Sequence, residues 1–217
     1  MPKIAGRDRK IELLDAAREL IFTEGPTRFT IRRLAERVQV SEAAVYRHFS
    51  SKEILLLELL DKLFHGWEEG IQKILVSRAS ASDRLQKLGN FHLDYLLERQ
   101  FNPILLLSDA ADPNQKALRE KLQHIASALF MAIHKLIQEG KQDHLFESNL
   151  DLEAATTTVI GIIQSTVLQW TLTQSKALLR KRLNRGVAFL VQCFQTNFSC
   201  KKQAPLAPKR NVRRKKS

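Results

Sequence analysis

Residues 30–49 read TIRRLAERVQVSEAAVYRHF, and the spacing inside this stretch decides the fold. Thr30 can cap a short helix running to Arg37, and Ser41 a second running to His48, because each hydroxyl satisfies a backbone N–H that a first helical turn leaves free. Helices this short are not stable alone in water, so a neighbour must pack them. The preceding residues supply it. Ile11, Leu14, Ala17, Leu20 and Ile21 recur at three- and four-residue spacing, one apolar stripe on a helix from about Asp8 to Thr23. Gly25-Pro26 ends that helix, since glycine suits the left-handed position after a helix and proline cannot continue one. In the second short helix Val45 and Phe49 are i, i+4 partners that face inward with Val40 and Leu34. Ala43, Tyr46 and Arg47 then point outward, with Glu42 at the tip. Small residues allow close approach to a duplex, arginine can bind guanine with two hydrogen bonds, and an alanine methyl can meet a thymine methyl. The same face also suits a surface helix of a bundle carrying an incidental arginine.

Outward from this unit the helical pattern continues. Ser50-Ser51-Lys52-Glu53 fits the S-x-x-E capping box and opens a long helix to about Leu75, with Leu56, Leu60, Leu63, Trp67, Ile71 and Ile74 on one side. Further helices are predicted near 82–100, 103–111, 114–140, 151–173 and 176–198, punctuated by Asp112-Pro113 and by the polar stretch from Glu139 to Asp143. Strand-like alternation is hard to find, so the fold class is all-α. Residues 1–53 are expected to form a three-helix domain with a helix-turn-helix, residues 54–200 a larger helical domain, and residues 201–217 a disordered basic tail; the resemblance described below implies that the first binds DNA and that the second binds a ligand and dimerises.

The chain carries a net charge of +12, and its distribution is informative. Residues 1–53 hold eleven Lys/Arg against eight Asp/Glu, a net +3, and residues 201–217 hold eight Lys/Arg and no acid, a net +8. The 147 residues between them hold sixteen against fifteen, a net +1. A near-neutral body flanked by two basic ends points to polyanion binding at the ends. The tail reads as a second, sequence-independent arm for DNA, because mobile positive charge near a duplex releases counterions. No apolar run reaches membrane-spanning length and the first residues hold no hydrophobic signal segment, which suggests a cytoplasmic, nucleoid-associated protein with no membrane partner. Cys193 and Cys200 form neither a disulfide framework nor a zinc ligand set. His65 with Glu68 and Glu69 has metal-compatible spacing but reads as a solvated helix face. No G-x-S-x-G, phosphate-cradling loop or Cys/His cluster is present, so neither an enzyme nor a cofactor is expected.

Taken together, Ile11–Ala17, Glu24-Gly25, Thr30–Val38, Val40–Phe49 and Ser51–Leu55 resemble the DNA-binding domain of the tetracycline-repressor (TetR) family of bacterial regulators. The resemblance implies roles residue by residue. Arg32 and Lys52 match phosphate contacts, Ser41 caps the reading helix, and Glu42, Ala43 and Ala44 match positions facing bases. Tyr46 and His48 match grips on the backbone, beside Arg47. Phosphate contacts fix register while base contacts specify. Gln39 departs from the family, which usually has glycine in the turn. A left-handed glutamine costs on the order of 1 kcal/mol.

For the body, the resemblance implies that the last two helices form a four-helix bundle with a second subunit, through Val159, Ile162, Ser165, Leu183, Val187, Leu190 and Phe194. Gly161 and Ser165, four apart, would permit close approach. Two reading heads related by a two-fold axis would face a near-palindromic operator in double-stranded DNA. The family's effector cavity suggests Trp67, His92, Tyr95, Phe130, Met131, His134, Gln164 and Trp170 as lining for an unidentified small-molecule effector, with apolar or aromatic character. The expected function is a homodimeric repressor released by that effector. The run from Val40 to Phe49 is also similar to that of nucleoid-occlusion factors, so a DNA-bound regulator acting through a protein partner is the first alternative. A helical enzyme or carrier is a second.

Overall fold

The computed structural model describes residues 6–173 and 175–195. Among these the regular structure is helical. The basic tail, Cys200 and the end of the last predicted helix lie outside the described residues.

Helix α1 (Gly6–Glu24) is followed by a 3-10 turn at Pro26–Arg28, then α2 (Ile31–Val38) and α3 (Glu42–Tyr46). The caps are local and follow the sequence. Thr30 Oγ1 accepts from the Arg33 N–H at 3.1 Å and Ser41 Oγ from the Ala44 N–H at 3.2 Å. Leu34, Val45 and Phe49 are essentially inaccessible and join Leu13, Ala17, Leu20 and Ile21 in one cluster. Burying such side chains stabilises by roughly 1.5–3 kcal/mol each, which holds two very short helices in place.

The next helix is not the single long one expected. It is α4 (Lys52–Phe64) and α5 (Trp67–Leu75), broken at Gly66, whose φ of 79° lies in the left-handed region. The capping box is also redirected. Ser51 is the cap, accepting from the Ile54 N–H at 3.1 Å, while the Glu53 carboxylate accepts from the Leu118 N–H at 3.2 Å. That hydrogen bond ties the start of α4 to the body of the protein.

Helix α6 (Ala81–Arg99) ends in a left-handed Gln100, and Asn102-Pro103 leads through a 3-10 turn at Pro103–Leu106 into the short α7 (Leu107–Ala110). Then come α8 (Lys116–Gln142), α9 (Leu152–Thr173) and α10 (Leu179–Gln195). α6, α8, α9 and α10 pack on one another, and α4 lies between α1 and α8. The N-terminal three-helix unit is fastened to this body at three further points. Phe22 of α1 packs on Trp170 of α9 with ring centroids 5.1 Å apart. Arg18 Nη1 donates to the Arg99 carbonyl and to Gln100 Oε1, both at 3.2 Å. Lys52 pairs with Asp109 of α7.

Several side chains expected to meet a second subunit instead build the core of this one. Val159, Leu183, Val187, Leu190 and Phe194 are at most 9 % exposed within the chain, because α9 and α10 turn these faces towards α6 and α8. Ile162 is half-buried, packed closely against Gly186 of α10, and Ser165 is exposed. The outward face carries Gly161, Ser165, Leu168 and Leu172 on α9 and Phe189 on α10, with Leu172 76 % and Phe189 62 % exposed.

Candidate DNA-binding face and effector cleft

The helix-turn-helix leaves a continuous outward surface. Arg32, Ser41, Glu42, Ala43, Tyr46 and Arg47 are exposed, Ala44 and His48 half-buried, and Val45 beneath them fully buried. Tyr46 is 48 % exposed although it is aromatic, with Phe49 taking the inward position one turn on. Arg32 Nε donates to Glu36 Oε1 at 3.0 Å, and that hydrogen bond, with the charges of Glu36 and Glu42, raises the guanidinium pKa. The α2–α3 turn depends on Gln39, whose φ of 56° and ψ of 48° are left-handed, so the turn keeps the conformation that glycine usually supplies there. The Val40 N–H closes the turn on the Ala35 carbonyl at 2.9 Å.

Lys52 is placed differently from its neighbours. Its ammonium pairs with Asp109 and stands 5.4 Å from the centre of the Phe29 ring. The side chain sits at the joint between head and body and is already engaged by a carboxylate.

Two adjoining hollows lie between α8 and the α7 segment. A cavity of about 100 Å³ is lined by His92 and Leu96 of α6, residues 102–104, Leu107, Gln164 of α9, and Leu122, Ile125, Ala126 and Leu129 of α8. A more open recess of about 340 Å³ shares Leu107, Leu122 and Ala126 and adds Ala110, Ala111, Arg119 and Gln123. Joined at Leu107, Leu122 and Ala126, they make a mostly apolar cleft with α7 along one side and Arg119 and Gln123 in its outer part.

Of the eight side chains proposed for a pocket, His92 and Gln164 line this cleft. Trp67 is fully buried, edge-on to Phe64 and to His92, and Trp170 is buried against Phe22. Tyr95 donates its hydroxyl to the His65 carbonyl at 2.5 Å, with Arg99 3.4 Å from its ring centre, and burial raises its pKa. Phe130 stacks on His134 at 5.8 Å, and His134 lies 3.4 Å from the Thr156 hydroxyl. Met131 is 61 % exposed and lines a separate surface groove with Glu68, Ile71 and Lys135. His65, Glu68 and Glu69 are exposed, and Glu68 lies 2.9 Å from His124. The lining contributed by Asn102, Ile104 and Leu107 was not anticipated. The one local signal was the Asn102-Pro103 break, where Asn102 Oδ1 caps the 3-10 turn by accepting from the Ile104 N–H at 3.1 Å.

The sequence profile of bacterial regulatory proteins of the tetR family matches residues 13–59, and that of the C-terminal region of YsiA-like protein matches residues 60–193. A fatty acid metabolism regulator protein of Bacillus subtilis is 23% identical over 170 residues, which is 78% of this chain and 87% of the relative. The nucleoid occlusion factor SlmA of Alteromonas mediterranea is 28% identical over 141 residues, 65% of this chain and 72% of the relative. The crystal structure of the transcriptional regulator FadR from Bacillus subtilis in complex with stearoyl-CoA superimposes with a TM-score of 0.67 at 23% identity, covering 83% of this chain and 97% of the other. FadR from Bacillus halodurans gives a TM-score of 0.69 at 20% identity, covering 88% and 97%. At these identities the structural likeness establishes the fold. The profiles establish more: from the helix-turn-helix to the last helix, this chain belongs to the tetR family of bacterial transcriptional regulators.

Proposed function

We propose that the protein is a homodimeric repressor that holds a near-palindromic operator through α3 and lets go when a small molecule enters the cleft beside α7. The observation that carries the release step is the double duty of α7. Leu107 and Ala110 face the cleft, while Asp109, between them in sequence, holds Lys52 at the start of α4. A ligand wedged between α7 and α8 therefore changes the position of a lysine that the family uses on phosphate. It shifts the equilibrium by its preference for one arrangement of α7 over the other. Working on DNA, the protein acts in the cytoplasm at the nucleoid.

The second copy is assigned to the outward face of α9 and α10. Gly161, Ser165, Leu168 and Leu172 fall at i, i+4, i+7 and i+11, one stripe on α9. The small residues at one end admit close helix approach, and Leu168, Leu172 and Phe189 offer the apolar area that a stable interface needs. The apolar cleft and the likeness to a fatty acid metabolism regulator make acyl-chain compounds the first effector class to test.

Selection of bound fragments from genomic DNA tests the operator half of the proposal. One or two sites with two-fold related half-sites beside a gene support it, whereas many sites scattered over the chromosome favour a nucleoid-occlusion role, which the likeness to SlmA keeps as the second reading. The release half is tested with Asp109→Asn and stearoyl-CoA as first probe. Freeing Lys52 for phosphate should steepen the log K against log salt slope by about 0.9 for each lysine released and blunt the loss of operator binding on adding stearoyl-CoA. A variant with wild-type slope and wild-type release would remove α7 from the pathway.

A further inference from the structure

The inner end of the cleft is not uniformly apolar. His92, in the middle of α6, is 3 % exposed, and among the described residues neither of its ring nitrogens has a hydrogen-bond partner. Gln164 of α9, half-buried, lines the same cavity, and its side chain makes no hydrogen bond among the described residues. The third polar group, Asn102, is committed: its Oδ1 accepts from the Ile104 N–H at 3.1 Å and its Nδ2 donates to Thr171 Oγ1 at 3.0 Å. Carbon supplies the rest of the lining, from Leu96, Ile104, Leu107, Leu122, Ile125 and Leu129.

Buried polar atoms are nearly always satisfied, so the two bare ring nitrogens of His92 call for a partner that enters with a ligand, and the half-buried Gln164 amide on the same cavity is placed to share it. A neutral imidazole offers one N–H donor and one nitrogen acceptor, and the glutamine amide offers both kinds as well. Burial lowers the His92 pKa to about 4, which keeps the ring uncharged in ordinary buffers. Among the described residues, no charged side chain lines the inner cavity. A carboxylate placed there would be desolvated without a counter-charge, the costliest arrangement an interior can offer.

We propose that His92 and Gln164 form a hydrogen-bonding subsite for an uncharged polar group, such as a hydroxyl, ketone or amide, carried on an otherwise apolar ligand, and that the subsite rejects a carboxylate. The proposal rests on the reading of this cleft as the effector site and adds what the inner end of the effector looks like. A purely hydrocarbon tail would fill the volume and leave the His92 nitrogens unsatisfied, so the subsite discriminates between chains of equal length by one functional group.

The test uses the full-length protein and three probes of matched length: octan-1-ol, 1-fluorooctane and octanoate. Binding is followed by calorimetry at pH 7, and the His92 ring nitrogens by ¹⁵N chemical shift. Wild type should bind octan-1-ol roughly tenfold more tightly than 1-fluorooctane, a ratio set by one net hydrogen bond, and octanoate more weakly than either. The His92 nitrogen shift should move with octan-1-ol and stay with 1-fluorooctane. In His92→Phe and, independently, in Gln164→Leu the preference for the alcohol should fall to within about twofold while 1-fluorooctane still binds. Equal affinities in wild type, tightest binding of octanoate, or an unmoved His92 shift on saturation with alcohol would each overturn the subsite, as would failure of all three probes to bind. These readouts need no DNA. If octan-1-ol binds as described and operator binding is unaffected, the release reading fails and the subsite stands.

Discussion

Replacing Gln39 by glycine isolates the cost of one backbone conformation. The residue is exposed, so core packing is untouched. Its φ of 56° and ψ of 48° place it in the left-handed region, with its N–H on the Ala35 and Glu36 carbonyls and the Val40 N–H closing the turn. A side chain in that region costs roughly 1–2 kcal/mol through its Cβ. Glycine removes the clash but gives the unfolded chain more freedom, which takes back about 0.5–1 kcal/mol. The net expectation for Gln39→Gly is a gain of about 0.5–1 kcal/mol, which for a chain of this size raises Tm by about 1–4 °C. Gln39→Val, branched at Cβ and poorly suited to positive φ, should lower Tm by at least as much as glycine raises it. Thermal and urea melts followed by helical circular dichroism measure both. A clear loss of stability in Gln39→Gly, or a neutral Gln39→Val, would refute the left-handed turn as the source of strain.

Stability should also depend on pH through His92. Its folded pKa of about 4 lies below the ordinary 6.5, so the unfolded chain takes up the proton first. The contribution is fully present above pH 6.5 and is lost as pH falls towards 4, by up to about 3 kcal/mol on the scale of 1.36 kcal/mol per unit. Urea melts across that range should show the decline in wild type and a shallower one in His92→Phe, and parallel curves would contradict it. Leu172→Asp combined with Phe189→Asp places charge on the outward face of α9 and α10. It should shift the protein to monomer in sedimentation velocity and weaken operator binding at least tenfold, since each head would then bind alone. A dimer that survives both substitutions would move the interface elsewhere.

The reading head was legible because its determinants are local. Each of Thr30, Ser41 and Ser51 reaches a backbone N–H three residues on, and Val45 and Phe49 lie one helical turn apart. The break at Gly66 was hidden because Leu63, Trp67 and Ile71 keep helical phase across it, so periodicity runs straight through a change of direction. Most of the side chains of α9 and α10 expected at a second subunit proved to be buried within the chain for a related reason. Both helices are apolar on two sides, and hydrophobicity alone does not say whether a side faces α6 and α8 or a second copy. Val187 and Phe189, two residues apart and both apolar, end up at 0 % and 62 % exposed. The cleft drew on α6, α7, α8 and α9 at once, and no pattern within one helix marks such a convergence. His92 and Gln164 were picked out as polar residues in apolar helices. The same criterion chose Trp67, Tyr95 and Trp170, which are buried and packed or hydrogen-bonded within the chain away from this cleft.

The account stands on α3 as the element that reads DNA. Its most direct test is a titration of an operator fragment, selected from genomic DNA, with wild type, Arg47→Ala and Tyr46→Ala, each checked for an unchanged melting temperature. Both side chains are exposed, so the fold should be intact. The account predicts that each substitution weakens operator binding by about 1–3 kcal/mol, roughly 5- to 150-fold, the range for removing one side chain that grips a base or phosphate from a recognition helix. Operator affinity unchanged in both folded variants would contradict it.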